Sequence, residues 1–386
     1  MNIANRNLWL LNVLTFLYTF RTYEGVWVIY FAAITGSYTS ALGMFAIMHV
    51  ASSSSEVPTG LLSDRIGRKA TIVMYCLLGL ISTSLFYLAE SAAVLVIGSI
   101  LVGLSMSFGS GTISAFVYEN LETIGRTDQY KKYEGKRRAQ SKYSMVPAGL
   151  LGAVIIYLYD IRAALLVSLL AVLGSLIAAL FLRNTPSTRI NKNNVYKDIT
   201  IALKHFKNHA SLRDFSLGRM FARGVGNAEY RFRSLFLSVI MPDWLVNLVT
   251  MAASLVVGFM MHANQFIVTK LGLKKSLVYV EIINRGIVIV CSLIYSVTSG
   301  VVLSLTNSIS HGISDVASED LLQARYTKDQ RATMGSLVSF GGSIIYIITA
   351  VTAGYVADQI GLLYTMLLLQ PFLLISVFFF WRGIRQ

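Results

Sequence analysis

Long apolar runs separated by short polar joints set the pattern of this chain. Twelve runs stand out, at residues 8–31, 39–61, 70–89, 93–121, 141–159, 163–182, 214–240, 244–263, 274–296, 299–322, 334–356 and 361–381. A helix needs roughly 20 mostly apolar residues to cross a bilayer, so each run predicts a membrane-spanning helix. Joints as short as Thr35-Gly36-Ser37, Met241-Pro242-Asp243 and Ser299-Gly300 connect successive runs. One interruption is long. It runs from Arg183 to Arg213, opens on Asn184-Thr185-Pro186, and carries Lys192, Lys197, Lys204, Lys207, His205 and His209. Six runs precede it and six follow. The pattern predicts an all-α integral membrane protein: a six-helix bundle over 1–183, a polar loop over 184–213 and a second six-helix bundle over 214–386.

Composition agrees. Of the 386 residues 55% are hydrophobic and 13% charged, against about 25% charged in a soluble protein, and the mean hydropathy is +0.61. Twelve spans leave no room for a separate soluble domain. Met1 to Phe20 lacks a basic start and a small-residue cleavage site, so no cleavable signal is expected there. Cys76 and Cys291 lie inside apolar runs and form no disulfide or metal pattern.

The net charge of +14 changes meaning once its placement is seen. Lysine and arginine crowd alternate joints: Arg6; Arg65, Arg68 and Lys69; Arg126 to Lys142; the long loop; Lys270, Lys274 and Lys275; Arg325, Lys328 and Arg331; Arg382 and Arg385. Among the opposite joints Arg162 is the exception. Positive charge stays on the cytoplasmic side, so both termini and the long loop are expected there. The surplus is a topology signal and no nucleic-acid patch, with contact to anionic lipid an alternative for the long loop. Trp9, Trp27, Trp244 and Trp381 sit near run ends, where interfacial anchors belong.

The two halves repeat. Ile113-Ser114 followed by Glu119 matches Ile309-Ser310 followed by Asp315. Arg138-Ala139 matches Arg331-Ala332, and Ile66-Gly67-Arg68-Lys69 matches Leu271-Gly272-Leu273-Lys274. Asp64 has no acidic counterpart; Thr269 stands there. A duplicated transporter architecture with a central site follows.

An ionisable side chain at a helix centre costs roughly 2.5–3.5 kcal/mol on insertion scales, so each one in a span is a functional candidate. Run one holds Arg21 and Glu24, flanked by Tyr18, Tyr23 and Trp27. They read either as a structural ion pair or as a proton or substrate site whose aromatics stack on a ligand. Run four holds Tyr118-Glu119, with Glu122 one turn on. Glu119 reads as a coupling or gating acid, or as a helix-end partner of the basic loop. Run seven holds Arg219, Arg223, Glu229, Arg231 and Arg233 around Gly224-Val225-Gly226-Asn227. The paired glycines predict a bend or break, and the cationic surplus favours an anionic substrate group. An interfacial start would instead account for Arg219 and Arg223. Run ten holds His311, Asp315 and Glu319 on one stripe, plus Asp320. These read as a protonatable array, or as a fixed network with the arginines of run seven. Glu281 and Arg285 read as a structural pair, and Glu56 as gate packing.

The stretch Gly60-Leu61-Leu62-Ser63-Asp64-Arg65-Ile66-Gly67-Arg68-Lys69 fills every defined position of the pattern G-x-L-[AS]-D-R-x-G-R-[KR]. It resembles the loop between the second and third helices of the major facilitator superfamily. Glu56-Val57-Pro58-Thr59 before it is similar to a bacterial drug–proton antiporter-like branch of that superfamily. The resemblance implies twelve helices in two pseudo-symmetric halves, with helices one, four, seven and ten lining a central cavity. It implies a cytoplasmic latch of Gly60, Asp64, Arg65, Gly67, Arg68 and Lys69 acting on the region after Arg331, with Gly60 and Gly67 allowing close approach and a tight turn. It also implies a monomer. The antiporter pattern Gly-Pro-x-x-Gly-Gly of the fifth helix is broken here, as Met145-Val146-Pro147-Ala148-Gly149-Leu150-Leu151-Gly152.

Function is therefore expected to be secondary active transport by alternating access in a bacterial cytoplasmic (inner) membrane. The partners are a small-molecule substrate, protons as the coupling ion, and membrane lipids. Coupling residues are Glu24, Glu119, His311, Asp315 and Glu319. The expected cavity holds Arg21, Tyr23, Trp27, Tyr118, Arg219, Arg223, Glu229, Arg231 and Arg233. Efflux of drug-like or amphipathic solutes is the first reading, and uptake or exchange of an anionic metabolite the second. A membrane sensor or lipid-handling protein is the alternative from another class. No phosphate-binding loop, metal cluster or nucleophile elbow is present in the sequence, so neither a cofactor nor an enzymatic role is expected.

Overall fold

The computed structural model describes residues 2–184, 206, 209–326 and 331–385. Most of the expected polar loop, with Lys192, Lys197, Lys204, Lys207 and His205, lies outside the described residues. The described residues form fifteen α-helices: α1 (Ile3–Tyr18), α2 (Trp27–Thr35), α3 (Tyr38–Ile66), α4 (Arg68–Leu88), α5 (Ala92–Gly109), α6 (Thr112–Thr123), α7 (Tyr130–Tyr143), α8 (Met145–Leu158), α9 (Ile161–Leu180), α10 (Ala210–Ser238), α11 (Asp243–Leu271), α12 (Val280–Ile294), α13 (Val297–Arg325), α14 (Arg331–Ile360) and α15 (Leu362–Arg385). Each of the twelve predicted runs falls on one helix or on two consecutive ones.

Eight helical stretches are long and apolar enough to cross a membrane by length and composition. The runs outside that set are one, two, seven and ten. Run one is split between two short helices, run two carries the polar stretch Ser52–Glu56, and runs seven and ten carry several ionisable residues. Charge removes α10 from the apolar class, and serine, threonine, asparagine and histidine remove the first eighteen residues of α13; neither helix is short.

Four local readings need correction. Run one is not continuous: α1 ends at Tyr18 and α2 begins at Trp27. Run four is likewise divided, with Gly111 at φ 72° between α5 and α6. The stretch Gly60–Lys69 is not a loop. Helix α3 continues through it to Ile66, and the turn is confined to Gly67 at φ 89° and ψ 157°. That backbone region is closed to most side chains and open to glycine. Gly60 has open space where a Cβ would stand, so it answers to no close approach. Finally, α10 runs unbroken through Gly224 and Gly226. A Cβ on Gly224 would lie 2.6 Å from Ile345 Cβ and 2.8 Å from the Gly342 carbonyl. That glycine lets α14 pack close, as small residues do in membrane interfaces; it does not bend the helix.

The chain divides into two compact units. The first comprises Met1–Gly36, Met44–Ile190 and Asp243–Met251; the second comprises Ser37–Gly43, Asn191–Pro242 and Ala252–Gln386. The first turns of α3 and α11 thus belong to the opposite unit from the rest of their helices. In the first unit Leu11, Leu14, Ile72, Phe116, Leu121 and Leu182 form a buried core. In the second, Phe215, Leu277, Leu322, Met334 and Phe380 do so. Outward-facing Leu158, Ile177, Phe259, Ile283 and Phe372 leave an apolar surface of the kind that suits acyl chains.

The repeat read from the sequence has a backbone counterpart. Gly272 stands at φ 79° and ψ 153°, nearly the conformation of Gly67. A π-turn over Lys275–Tyr279 then leads into α12.

Candidate functional site

Each unit holds one arginine between two carboxylates. In the first unit Gly67 starts α4 so that Arg68 turns back toward α3. Arg68 Nη1 lies 3.1 Å from Asp64 Oδ1, four residues earlier and across the turn at Gly67, and its Nε donates to Glu119 Oε1 on α6 at 3.1 Å. Nη1 also donates to Ser63 Oγ at 2.8 Å, and Thr112 Oγ1 donates to the same Ser63 hydroxyl at 3.2 Å. Arg65 is exposed and Lys69 half-buried. The latch partner expected after Arg331 begins with side chains outside the described set.

In the second unit Arg219 of α10 is the hub, only 4% exposed. Its Nη2 lies 3.1 Å from Asp315 Oδ1 and 2.7 Å from Glu319 Oε2, both on α13. Its Nη1 donates to the Asp315 carbonyl at 2.7 Å and to Ser318 Oγ. A planar guanidinium offers several donors in fixed directions, and this fork uses them on one helix face. The stripe His311, Asp315, Glu319 is thereby split. Asp315 and Glu319 join the arginine, while His311 stands one turn before Asp315 and is exposed. Arg219 is buried between α10 and α13 and ion-paired there.

Deeper in the second unit lies a network that sequence reading saw only in fragments. Glu229 of α10 accepts from Asn307 Nδ2 on α13 at 2.8 Å. Asn307 Oδ1 accepts from Arg285 Nη2 at 2.7 Å and from Asn284 Nδ2 at 2.9 Å. Arg285 also pairs with Glu281 at 2.7 Å and donates to Gln370 Oε1 at 2.9 Å. Ser310 donates to the other oxygen of Glu281. Glu281 and Arg285 were legible as a pair at i and i+4. Asn284, Asn307 and Gln370 carried no signal beyond being polar in apolar runs.

The other cations of α10 face different surroundings. Arg223 Nη1 donates to Ser339 Oγ at 3.3 Å. Arg231 and Arg233 lie 5.4 and 5.3 Å from the ring centroid of Tyr230, a cation–π arrangement; Arg233 is buried and Arg231 half-buried.

In the first unit Arg21 and Glu24 approach at 3.7 Å in the break between α1 and α2. Their aromatic neighbours divide. Tyr23 and Trp27 are 3% and 2% exposed, and Trp27 is ringed edge-on by Tyr23, Phe31, Phe45 and Phe86. Trp27 is a packing centre, neither an interfacial anchor nor an open platform, because four rings already occupy its surface. Tyr118 is exposed and packs edge-on to Tyr130 at 5.7 Å. Glu122 and Glu56 are exposed.

The sequence profile of the Major Facilitator Superfamily matches residues 8–281. A search of the curated proteins finds no match. Among solved structures, a bacterial homologue of the human lysosomal transporter Spinster, in its inward-facing and unoccupied conformation, superposes with a TM-score of 0.79 at 16% identity, over 100% of this chain and 98% of the other. The nucleoside transporter NupG gives 0.76 at 13% identity, over 100% of both chains. The peptide transporter PepTSo of the POT family gives 0.73 at 11% identity, over 100% and 98%. At these identities the likeness is one of fold, and it agrees with the profile. From the twelve helical runs, the glycine-jointed repeat and these matches together, the chain belongs to the Major Facilitator Superfamily and is a multi-pass membrane transporter.

Proposed function

We propose that the protein is a proton-coupled secondary active transporter, and that Asp315 and Glu319 with Arg219 form its coupling centre. The observation that carries this reading is the sharing of one buried guanidinium by two carboxylates. The three groups together hold one excess negative charge. One proton removes it, and Arg219 then serves the remaining carboxylate alone. Protonation thus changes which acid the arginine grips on α13, a local event that biases a conformational equilibrium.

For the substrate, the similarity of Glu56-Val57-Pro58-Thr59 to the antiporter-like branch supports efflux of drug-like or amphipathic solutes, and the broken pattern at Met145–Gly152 weighs against it. A second reading, uptake or exchange of an anionic metabolite, is favoured by a specific feature of α10. Arg223 and Arg233 have no carboxylate partner within salt-bridge distance among the described residues. The proposal includes a bacterial inner-membrane location, cytoplasmic termini, a monomeric state, and division into bundles 1–183 and 214–386 about the polar loop.

The test is flux in proteoliposomes under an imposed proton gradient, across a panel of cationic, neutral and anionic solutes. Gradient-driven flux above empty vesicles is expected for wild type and is lost in Asp315→Asn. Absence of driven flux for every solute class, or undiminished driven flux in Asp315→Asn, sinks the coupling assignment.

A further inference from the structure

The interruption of the first span at Thr19–Val26 is fixed by specific bonds. The Thr22 amide donates to Ser168 Oγ at 3.0 Å, and its hydroxyl donates to the Ala164 carbonyl at 2.5 Å. Asn247 Nδ2 donates to the Thr22 and Gly149 carbonyls, each at 3.1 Å, and Asn247 Oδ1 accepts from the Gly25 amide at 3.0 Å. A Cβ on Gly152 would overlap the Thr22 carbonyl. Irregular backbone persists at membrane depth where protein buries it or where it borders a cavity. Here one edge is plainly buried.

Arg21 stands at this break. Its guanidinium carbon lies 5.8 Å from the centroid of Tyr18 and 5.3 Å from that of Trp27. Tyr18 is itself immobilised. It stacks on Tyr75 at 4.0 Å, and its hydroxyl is 2.7 Å from Ser105 Oγ. It also lies over Gly79, where a Cβ would come within 2.6 Å of the ring. The guanidinium has five N–H donors. Among the described residues its only polar contact is Glu24 at 3.7 Å, beyond hydrogen-bond range, and the side chain is 26% exposed. Trp27, beside it, opens α2, a nine-residue helix with no side-chain cap at Val26. Uncapped first-turn amides add positive potential where Arg21 already supplies a full charge.

A cation with unspent donors, set against aromatic faces and a helix start, matches a planar carboxylate taken by two parallel hydrogen bonds. Tyr18 and Trp27 are already packed on their other sides, so they hold the guanidinium in place and leave its donors to the ligand. We propose that the break in the first span is a binding station for an organic carboxylate. Arg21 takes the carboxylate, and Glu24 is the internal counter-ion that the ligand displaces. This rests on the reading of the chain as a solute carrier and names a substrate class for it.

The experiment uses the purified full-length protein and reads binding without a gradient, by thermal stability and tryptophan fluorescence. The probes are benzoate, benzamide and benzylammonium, with sulfate at matched ionic strength. Saturable stabilisation by benzoate alone is expected. Arg21→Gln weakens benzoate binding by at least about ten-fold, the loss of a charged bidentate contact. Glu24→Gln, which keeps the arginine and removes its competitor, tightens it several-fold. No response to benzoate, an equal response to benzamide or sulfate, or undiminished benzoate binding in Arg21→Gln overturns the proposal. Should Arg21→Gln fail to fold, Glu24→Gln decides: unchanged or weaker benzoate affinity overturns it. Undiminished driven flux in Asp315→Asn, with benzoate binding intact, would count against the coupling centre and leave this station standing.

Discussion

Glu119 and Asp315 occupy matching positions in the two sequence repeats, and each is held by an arginine. The arginines come from different places. Glu119 takes Arg68, which stands one residue after the positive-φ glycine that opens the third span. The corresponding residue after Gly272 is Leu273. Asp315 is served instead by Arg219, on the first span of its own unit. The second acid differs as well. Asp64 is four residues from Arg68 along the chain, whereas Glu319 is four residues from Asp315 on the same helix. Duplication preserved the acid and the glycine joint, and each unit rebuilt the rest of the cluster. The first cluster is thereby tied to the joint between two spans, a place suited to a conformational latch. The second lies wholly between two spans, a place suited to coupling.

The largest effect expected from breaking this contrast is at Arg219. Arg219→Ala leaves two carboxylates facing one another without their cation, and removing one partner of a buried pair costs about 3 kcal/mol. Driven flux should fall to background and the melting temperature should drop by several degrees. Arg219→Lys should recover stability better than flux, because an ammonium cannot reproduce the fork. A fully active Arg219→Lys would show that only the charge matters.

Next come the matched acids. Asp315→Asn should abolish gradient-driven flux while leaving the folded yield unchanged. Glu119→Gln should retain driven flux and alter the balance of states. Equal loss in both variants would erase the functional distinction between the clusters.

A sharper test moves the arginine. Leu273→Arg places a guanidinium where the first repeat has one. In the Arg219→Ala background it should restore part of the lost stability, about 1 kcal/mol for a hydrogen bond to a charged group. No change in melting temperature would mean that the two clusters are not interchangeable in geometry.

A smaller effect is expected at the latch. Asp64→Asn should shift the population toward inward-open states, read as unequal labelling of single cysteines placed on the two faces. Asp64 is 42% exposed, so its direct contribution to stability through Arg68 is a few tenths of a kcal/mol. Identical labelling on both faces would remove it from a gating role.

Least of all should be felt at Asp358, an acid outside both clusters. It accepts from Ser37 Oγ and from the Tyr38 and Thr39 amides at 2.8–3.0 Å, and from Thr39 Oγ1 at 2.6 Å. These bonds cap the start of α3. Asp358→Ala should cost about 1 kcal/mol, the usual value of a lost helix cap, with coupling intact. A loss of coupling there would show that the two clusters do not act alone.

How far the candidate site could be read in advance follows the range of its contacts. The i and i+4 pair Glu281 with Arg285 was visible because helical periodicity alone puts such residues on one face; the contact of Asp64 with Arg68 was not, because it forms across the turn at Gly67 and not along one helix. Gly67 and Gly272 were visible as joints because glycine between two apolar runs has few other uses. The grip of Arg219 on Asp315 spans 96 residues, and no local pattern distinguishes Arg219 from Arg223 or Arg231. Trp27 looked like an anchor because it lies near a run end; only packing against Phe45 and Phe86 made it a core residue. Gly224 looked like a break because glycine weakens an isolated helix. In place it spares a clash with Ile345, and a straight helix results.

The sequence by itself determined the twelve apolar runs, their polar joints, the duplication and the set of charges those runs carry. It could do so because hydrophobicity, period and glycine conformation act between neighbouring residues, and because a buried charge is costly wherever the chain puts it. The tertiary structure decided which arginine serves which acid, that the first span breaks at Thr19–Val26, and that Tyr23 and Trp27 are covered while Arg21 retains open donors. Those outcomes depend on Ser168, Asn247, Asp315 and Phe86 reaching across from distant parts of the chain. The contacts become determinate only when the helices have packed.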